Sequence, residues 1–491
     1  FLFKDMKRDS SQKYMSNSIS LEVEEGEGDI KRPLMHEQHQ GQFNHDIQFW
    51  LSCLGSAVGY GNIWRFPYVL FSNGGGAFFV PYFVCICIIV FPLYYLELAY
   101  GQLFKKALHR YYDSINSRFM GLSAAIATVC FFTSIFLTTL LAWCINFLIL
   151  SFEDPLPWDA HNIEGGVFWK EGYFKNELLH ISKDIGDINY IIFGLAISFV
   201  ISAIVNYMVI YRSLESIGYA VYILIPLPYF ILFILFLRGI TLEGFYLGWE
   251  YLFKPDWSKI LTFKIWKDAG AQVIFSCSLG VNVMMLFASN RDKKDKIFKA
   301  TVGIPIMNFA TSIFACMTLF SFLGYASHST GIPISEMPIE GSELAFVVYP
   351  ALITTLPFPH FWAILFFMML ICLGLSSQFP YYEVCISYIH GMFSRTKTLR
   401  RISKRVVAVI FCILVLFVDI LLASDAGFYW FTLLDHFAAG LNLLILILVQ
   451  TVVLGWFLDL DELEQKVVMK GEKIPWIYKI SIKYISPAFL C

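Results

Sequence analysis

The sequence predicts an all-α, polytopic membrane protein, and three observations predict it: the composition, a series of long apolar runs, and the alternation of basic and non-basic loops between them. Of 491 residues, 57% are hydrophobic, 18% aromatic and only 15% charged, with a mean hydropathy of +0.62. Soluble domains carry roughly a quarter charged residues, and a soluble chain of this size has no way to cover so much apolar surface. Segments that cross lipid must satisfy their backbone internally, which makes each run a helix. The net charge of −2 gives no reason to expect a nucleic-acid partner; the partner is the lipid bilayer.

Residues 1–45 are polar and include the acidic run "LEVEEGEGD", so they read as a disordered tail with no cleavable signal ahead of the first span. Ten spans follow near 48–70, 77–103, 120–151, 188–210, 216–237, 269–290, 299–326, 359–392, 404–423 and 428–457. The loops "KKALHR" (105–110), "RDKKDK" (291–296) and "RTKTLRRISKR" (395–405) are basic, whereas 326–360 and 423–428 contain no Lys or Arg. The positive-inside rule therefore places both termini in the cytoplasm. The core is 46–457, and 458–491 is a cytoplasmic segment leading into an eleventh span cut short at "KYISPAFLC". The eleven cysteines lie mostly inside apolar runs, as at Cys85, Cys130 and Cys412, and read as small buried hydrophobes. No nucleophile–base pairing or metal-ligand spacing points to an enzyme, and "HEQH" (36–39) reads as solvated tail.

Two spans depart from plain apolar helices. The first carries "GSAVGYGNIWRFP" (55–67), and the sixth carries "FSCSLGVN" (275–282). They stand first in each group of five, and paired interruptions at equivalent places mark an inverted-repeat transporter with a midplane site. Unwound backbone at that depth offers carbonyls to a cation and N–H groups to an anion. The plainer alternative is that small residues only permit close helix packing; polar side chains accompany the glycines in both halves, which favours the site.

The stretches "GSAVGYGNIWRFPYVLFSNGGGAFFVPY", "LYYLELAYGQ", "GITLEG", "NFATSIF", "FWAILFFMMLICLGLSSQF" and "FTLLDHFAAG" resemble the neurotransmitter:sodium symporter family from about residue 46 onward. The resemblance implies a leucine-transporter-like fold: an inverted five-plus-five helix repeat with broken first and sixth spans. It implies no cofactor, but bound Na⁺ and Cl⁻ and a small amino-acid-like substrate at the plasma membrane. The first sodium site would use Ala57, Asn62, Ser276 and Asn308, together with the substrate's carboxylate. The second would use Gly55, Val58, Leu373, Ser376 and Ser377, although membrane serines also commonly bond to the preceding turn. Oxygen-only ligands suit a hard cation. Chloride would rest on Tyr82, Gln272, Ser276, Asn308 and Ser312, all hydroxyl or amide donors. The substrate would touch Ala57, Gly59, Gly61, Phe275 as an aromatic lid, and Ser278. Gly59 stands where monoamine carriers have Asp, so the substrate should bring its own carboxylate. Arg65 and Asp435 would form an outer ion-pair gate, although an Arg at a span end also snorkels. Glu97 reads as a brace at a helix junction, and Glu383 likewise.

Three departures qualify the resemblance. The family's third span has a Tyr that binds the substrate carboxylate; here that position is Leu137, with Thr133 one turn away as a substitute donor. The cytoplasmic gate positions are Gln40, Phe43 and Gly391, so both halves of an ion pair are missing together. The loop 152–187 has no cysteine pair and no N-x-S/T sequon. Transport of an amino-acid-like solute is the leading reading; a non-transporting trafficking or regulatory partner, and an uncoupled channel, are the alternatives. The solute, ion stoichiometry and oligomeric state are not legible.

Overall fold

The computed structural model describes residues 45–105, 108–159, 172–292, 295–337, 341, 344–396, 398–469 and 471–491. Gln40 and Phe43, and with them nearly all of the expected tail, lie outside the described residues. Among those residues the regular secondary structure is helical, apart from an isolated bridge between Ile191 and Ser424.

The first span is two helices, α1 (Asp46–Ala57) and α2 (Phe66–Ser72), separated by Val58–Tyr60 and a π turn at Gly61–Arg65. Continuous helices follow: α3 (Gly75–Phe104), α4 (Met120–Leu150), α5 (Phe193–Ile210) and α6 (Leu214–Ile240). A short helix that apolar runs alone did not predict, α7 (Phe245–Phe253), lies between α6 and the sixth span. That span is again broken, into α8 (Phe263–Ser276) and α9 (Val283–Ser289). Then come α10 (Phe298–Thr330), the short loop helix α11 (Tyr349–Thr354), α12 (Pro359–Phe393) and α13 (Lys404–Leu422). The tenth span is α14 (Gly427–His436) and α15 (Asn442–Val452), joined and extended by π turns. Beyond it, α16 (Leu460–Val468) turns away by 77°, and α17 (Trp476–Ile480) runs through a π turn into α18 (Ser486–Leu490).

Seven helices among the described residues are long and apolar enough to cross a membrane unaided. The other three expected spans are those that break or are interrupted by π turns, because no single piece reaches the roughly 20 residues a bilayer requires. The sorting of side chains follows from lipid as solvent. On α13, Ile410, Ile413, Phe417 and Leu421 point outward, while Val407, Phe411, Val415, Asp419 and Leu422 are buried against the bundle. The centre is built on α4 against α12, with the broken helices beside them. All eleven cysteines are unpaired and ten are wholly or partly buried.

Candidate ion and substrate site

The break in the first span begins where Val58 N–H donates to the Leu54 carbonyl, 2.7 Å, and the next turns do not close. Carbonyls of residues 55–58 are thereby released from the helical ladder. Two are taken up by side chains of other helices: Ser278 Oγ donates to the Ser56 carbonyl at 2.7 Å, and Ser376 Oγ lies 3.5 Å from the Val58 carbonyl. The break in the sixth span is longer and has left-handed backbone at Ser278, Gly280 and Asn282, with φ of 50°, 79° and 60°. Glu97 crosses from α3 to hold it, its Oε1 accepting from Gly280 N–H (3.2 Å) and from Gln450 Nε2 (2.8 Å). Tyr112 donates to Asn282 Oδ1 at 2.7 Å. Glu97 thus joins α3, the sixth-span break and α15, as a junction brace should. Glu383 does the same at another junction, accepting from Ser213, Ser387 and Lys404.

Most of the expected ion ligands come together. Asn62 Nδ2 reaches the Asn308 carbonyl (3.2 Å), Asn308 Oδ1 (2.7 Å) and Ser312 Oγ (2.8 Å). Ser276 exchanges hydrogen bonds with the Asn308 amide at 2.9 and 3.2 Å. Around the same side chains, Tyr82 stands beside Ser276 and Ser312, and its fully buried hydroxyl has no partner among the described residues. Gln272 donates to the Gly61 carbonyl at 2.9 Å and leaves its Oε1 unpartnered. A buried phenolic proton with nothing to bond costs about 1–3 kcal/mol, and it is the chemistry an anion would satisfy. The second cluster is equally close-knit. Ser376 donates to the Leu373 carbonyl at 3.0 Å, and a Cβ on Gly59 would lie 1.8 Å from Ser377 Oγ and 3.5 Å from the Leu373 carbonyl. A Cβ on Gly55 would touch Ser376 Cβ at 3.4 Å.

Between the two clusters lies a small cavity of about 20 Å³, lined by Ser56, Ala57, Gly59, Tyr60, Gly61, Leu137, Phe275, Ser276, Ser278, Ser377 and Tyr381. That volume holds roughly one water molecule, so a solute enters only as the walls move apart. Five expected contacts (Ala57, Gly59, Gly61, Phe275 and Ser278) and Leu137 lie on its wall. Thr133 does not: it is buried in α4 one turn from Leu137, and that turn carries it past the cavity. Tyr381 was missed, although it stands four residues after Ser377 on the same face of α12, a spacing that could have flagged it.

The two expected outer-gate residues lie near each other without a close ion pair between them. Arg65 and Asp435 are within electrostatic reach, but Arg65 Nη1 and Asp435 Oδ1 have no hydrogen-bond partner among the described residues. The guanidinium instead sits 4.3 Å above the Phe275 ring, a cation–π contact that holds it over the lid. At the expected cytoplasmic gate position, Gly391 is filled by a neighbour: a Cβ there would come within 2.1 Å of His109 Nδ1. Burial, then Arg395 and Arg110, pushes the His109 imidazole down to about 4, so a neutral ring packs where an ion pair was sought. An ion pair does exist nearby, Arg291 to Asp46 at 2.8 Å, joining the end of the sixth span to the start of the first.

Comparison with known proteins places nearly the whole chain beside one transporter family. A family model described as the sodium:neurotransmitter symporter family matches residues 40–491. The creatine transporter of Torpedo marmorata is 32% identical over 463 residues, covering 88% of this chain and 74% of its own length.

Proposed function

We propose that this chain, which belongs to the sodium:neurotransmitter symporter family, carries an amino acid or amino-acid-like zwitterion across the plasma membrane, coupled to sodium and dependent on chloride. Membership makes it a multi-pass carrier that couples solute movement to sodium; the solute class, the anion and the membrane are our reading. One observation carries it: two oxygen-rich clusters flank a single cavity whose wall at position 59 is glycine. With no carboxylate at Gly59, a cation beside the Ala57 carbonyl, Asn62, Ser276 and Asn308 takes its missing negative charge from the solute. The cation at Gly55, Val58, Leu373, Ser376 and Ser377 needs no solute atom. The relative's name supports a zwitterion, since creatine bears a carboxylate and a guanidinium.

Chloride follows from Tyr82, Gln272, Ser276, Asn308 and Ser312. Ser276 and Asn308 belong to both ion sets, so each ion lowers the electrostatic cost of burying the other and their binding is mutually dependent. The basic loops place the N-terminus in the cytoplasm, and an inside-negative potential then favours inward movement of any net positive charge.

The test is uptake of labelled creatine, glycine, leucine and γ-aminobutyrate in cells expressing the protein. Uptake should require external sodium and fall when gluconate replaces chloride. Ser276→Ala should damage both dependences and Ser376→Ala sodium dependence alone. Sodium-dependent uptake indifferent to chloride removes the anion site. The neutral His109–Gly391 packing is what favours the second reading, a family member that does not transport; absence of sodium-dependent binding or flux for every solute would establish it.

A further inference from the structure

The wall of the cavity contains one unexplained side chain. Leu137 leaves α4 without a hydroxyl facing the solute, yet the opposite wall carries Tyr381, buried on α12. We propose that Tyr381 supplies the phenolic hydrogen bond to the solute's carboxylate that Leu137 cannot make, so that the recognising hydroxyl has moved from the third span to the eighth. This deepens the transporter reading above and rests on it.

The hydroxyls that line the cavity mostly give their proton to the protein already. Ser56 donates to the Cys53 carbonyl at 2.8 Å, Tyr60 to Cys144 Sγ at 3.7 Å, Ser276 to Asn308 Oδ1 at 3.2 Å and Ser278 to the Ser56 carbonyl at 2.7 Å. Ser377 lies with the Leu373 carbonyl beneath Gly59, on the side of the second oxygen cluster. Tyr381 turns its hydroxyl to that of Ser278, a weaker acceptor than a carboxylate. A phenol that shifts its proton from a neutral serine oxygen to a carboxylate gains a charge-assisted bond, roughly twice as strong as a neutral one. Thr133, the donor expected from sequence, is off the wall, and Thr138 donates to the Ser134 carbonyl at 2.8 Å. The same ring occupies volume, which restricts the cavity to short solutes.

The experiment measures sodium-dependent uptake and equilibrium binding of labelled creatine and glycine by wild type, Tyr381→Phe, Leu137→Tyr and the double variant, with cell-surface labelling to normalise expression. Tyr381→Phe keeps the ring and removes only the hydroxyl. The expected result is a rise in KM and Kd of about tenfold for whichever probe is carried, with maximal rate and sodium dependence retained. Adding Leu137→Tyr to Tyr381→Phe should recover most of that loss. Unchanged KM and Kd in surface-expressed Tyr381→Phe, alongside robust wild-type uptake, overturns this assignment and leaves the transporter reading standing. Wild-type protein that neither binds nor carries either probe, in a panel where another solute is carried, overturns the carboxylate contact for these solutes and directs the same four proteins to that solute. If no solute is bound or carried, the transporter reading falls and this one with it.

Discussion

The two helix breaks occupy equivalent places in the two halves but are built on different principles. The first is short, has no left-handed residue, and exists because two helices come too close for a side chain: Gly59 faces Ser377 Oγ with no room for a Cβ. The second is longer and conformationally unusual, with three left-handed residues, each pinned by a bond from elsewhere: Ser278 to the Ser56 carbonyl, Gly280 to Glu97, and Asn282 to Tyr112. One break is specified by space and the other by backbone geometry. The first therefore tolerates no added volume, whereas the second tolerates small changes so long as its braces hold.

The largest expected effect is at the first break. Gly59→Asp should abolish uptake, because its carbon atoms collide with Ser377 and its charge repels a solute carboxylate. Surface labelling separates loss of transport from loss of folding. Uptake at wild-type affinity would mean that position 59 does not face the solute and that the space argument is wrong.

Next is the brace of the second break. Glu97→Ala leaves Gly280 N–H and the Gln450 amide without their acceptor, a cost of about 1–3 kcal/mol for a buried donor. Gly280→Ala adds about 1–2 kcal/mol of left-handed strain, with Ile447 Cβ only 3.1 Å from the new methyl group. Both should lower the thermal unfolding midpoint of purified protein, while Glu97→Gln, which keeps an acceptor oxygen, should lower it less. If Glu97→Gln falls as far as Glu97→Ala, the brace acts through its charge and not through the bond to Gly280.

The smallest effect distinguishes the two principles most directly. Asn282→Gly removes the bond from Tyr112 but relieves the left-handed strain at that residue, about 1 kcal/mol each way. The unfolding midpoint should move little, in contrast to any enlargement at Gly59. A large drop would show that the Tyr112 contact, not the backbone, determines this end of the break.

The spans and both breaks were legible because lipid imposes simple demands: length, apolarity, and a reason for every polar atom at depth. Glu97 was legible on the same ground. What hydropathy cannot convey is how far along a helix the wall of a cavity extends. Thr133 and Tyr381 show this from opposite sides. Thr133 is one turn from Leu137 yet off the wall, and Tyr381 reaches the wall from a helix read only for its serines. At the outer gate, opposite charges were identified at Arg65 and Asp435, but the aromatic face of Phe275, which also meets the guanidinium, lies at a distance that sequence does not record.

That stacking of Arg65 on Phe275 has an electrical consequence. It sets a full positive charge against the aromatic side chain on the cavity wall, near Asp435, whose Oδ1 has no hydrogen-bond partner among the described residues. If Phe275 swings as a lid and carries the charge with it, the charge crosses part of the transmembrane field, which acts with about 2.3 kcal/mol per elementary charge per 100 mV. Lid motion is then a displacement current, detectable in a voltage step as a brief transient even when no solute crosses.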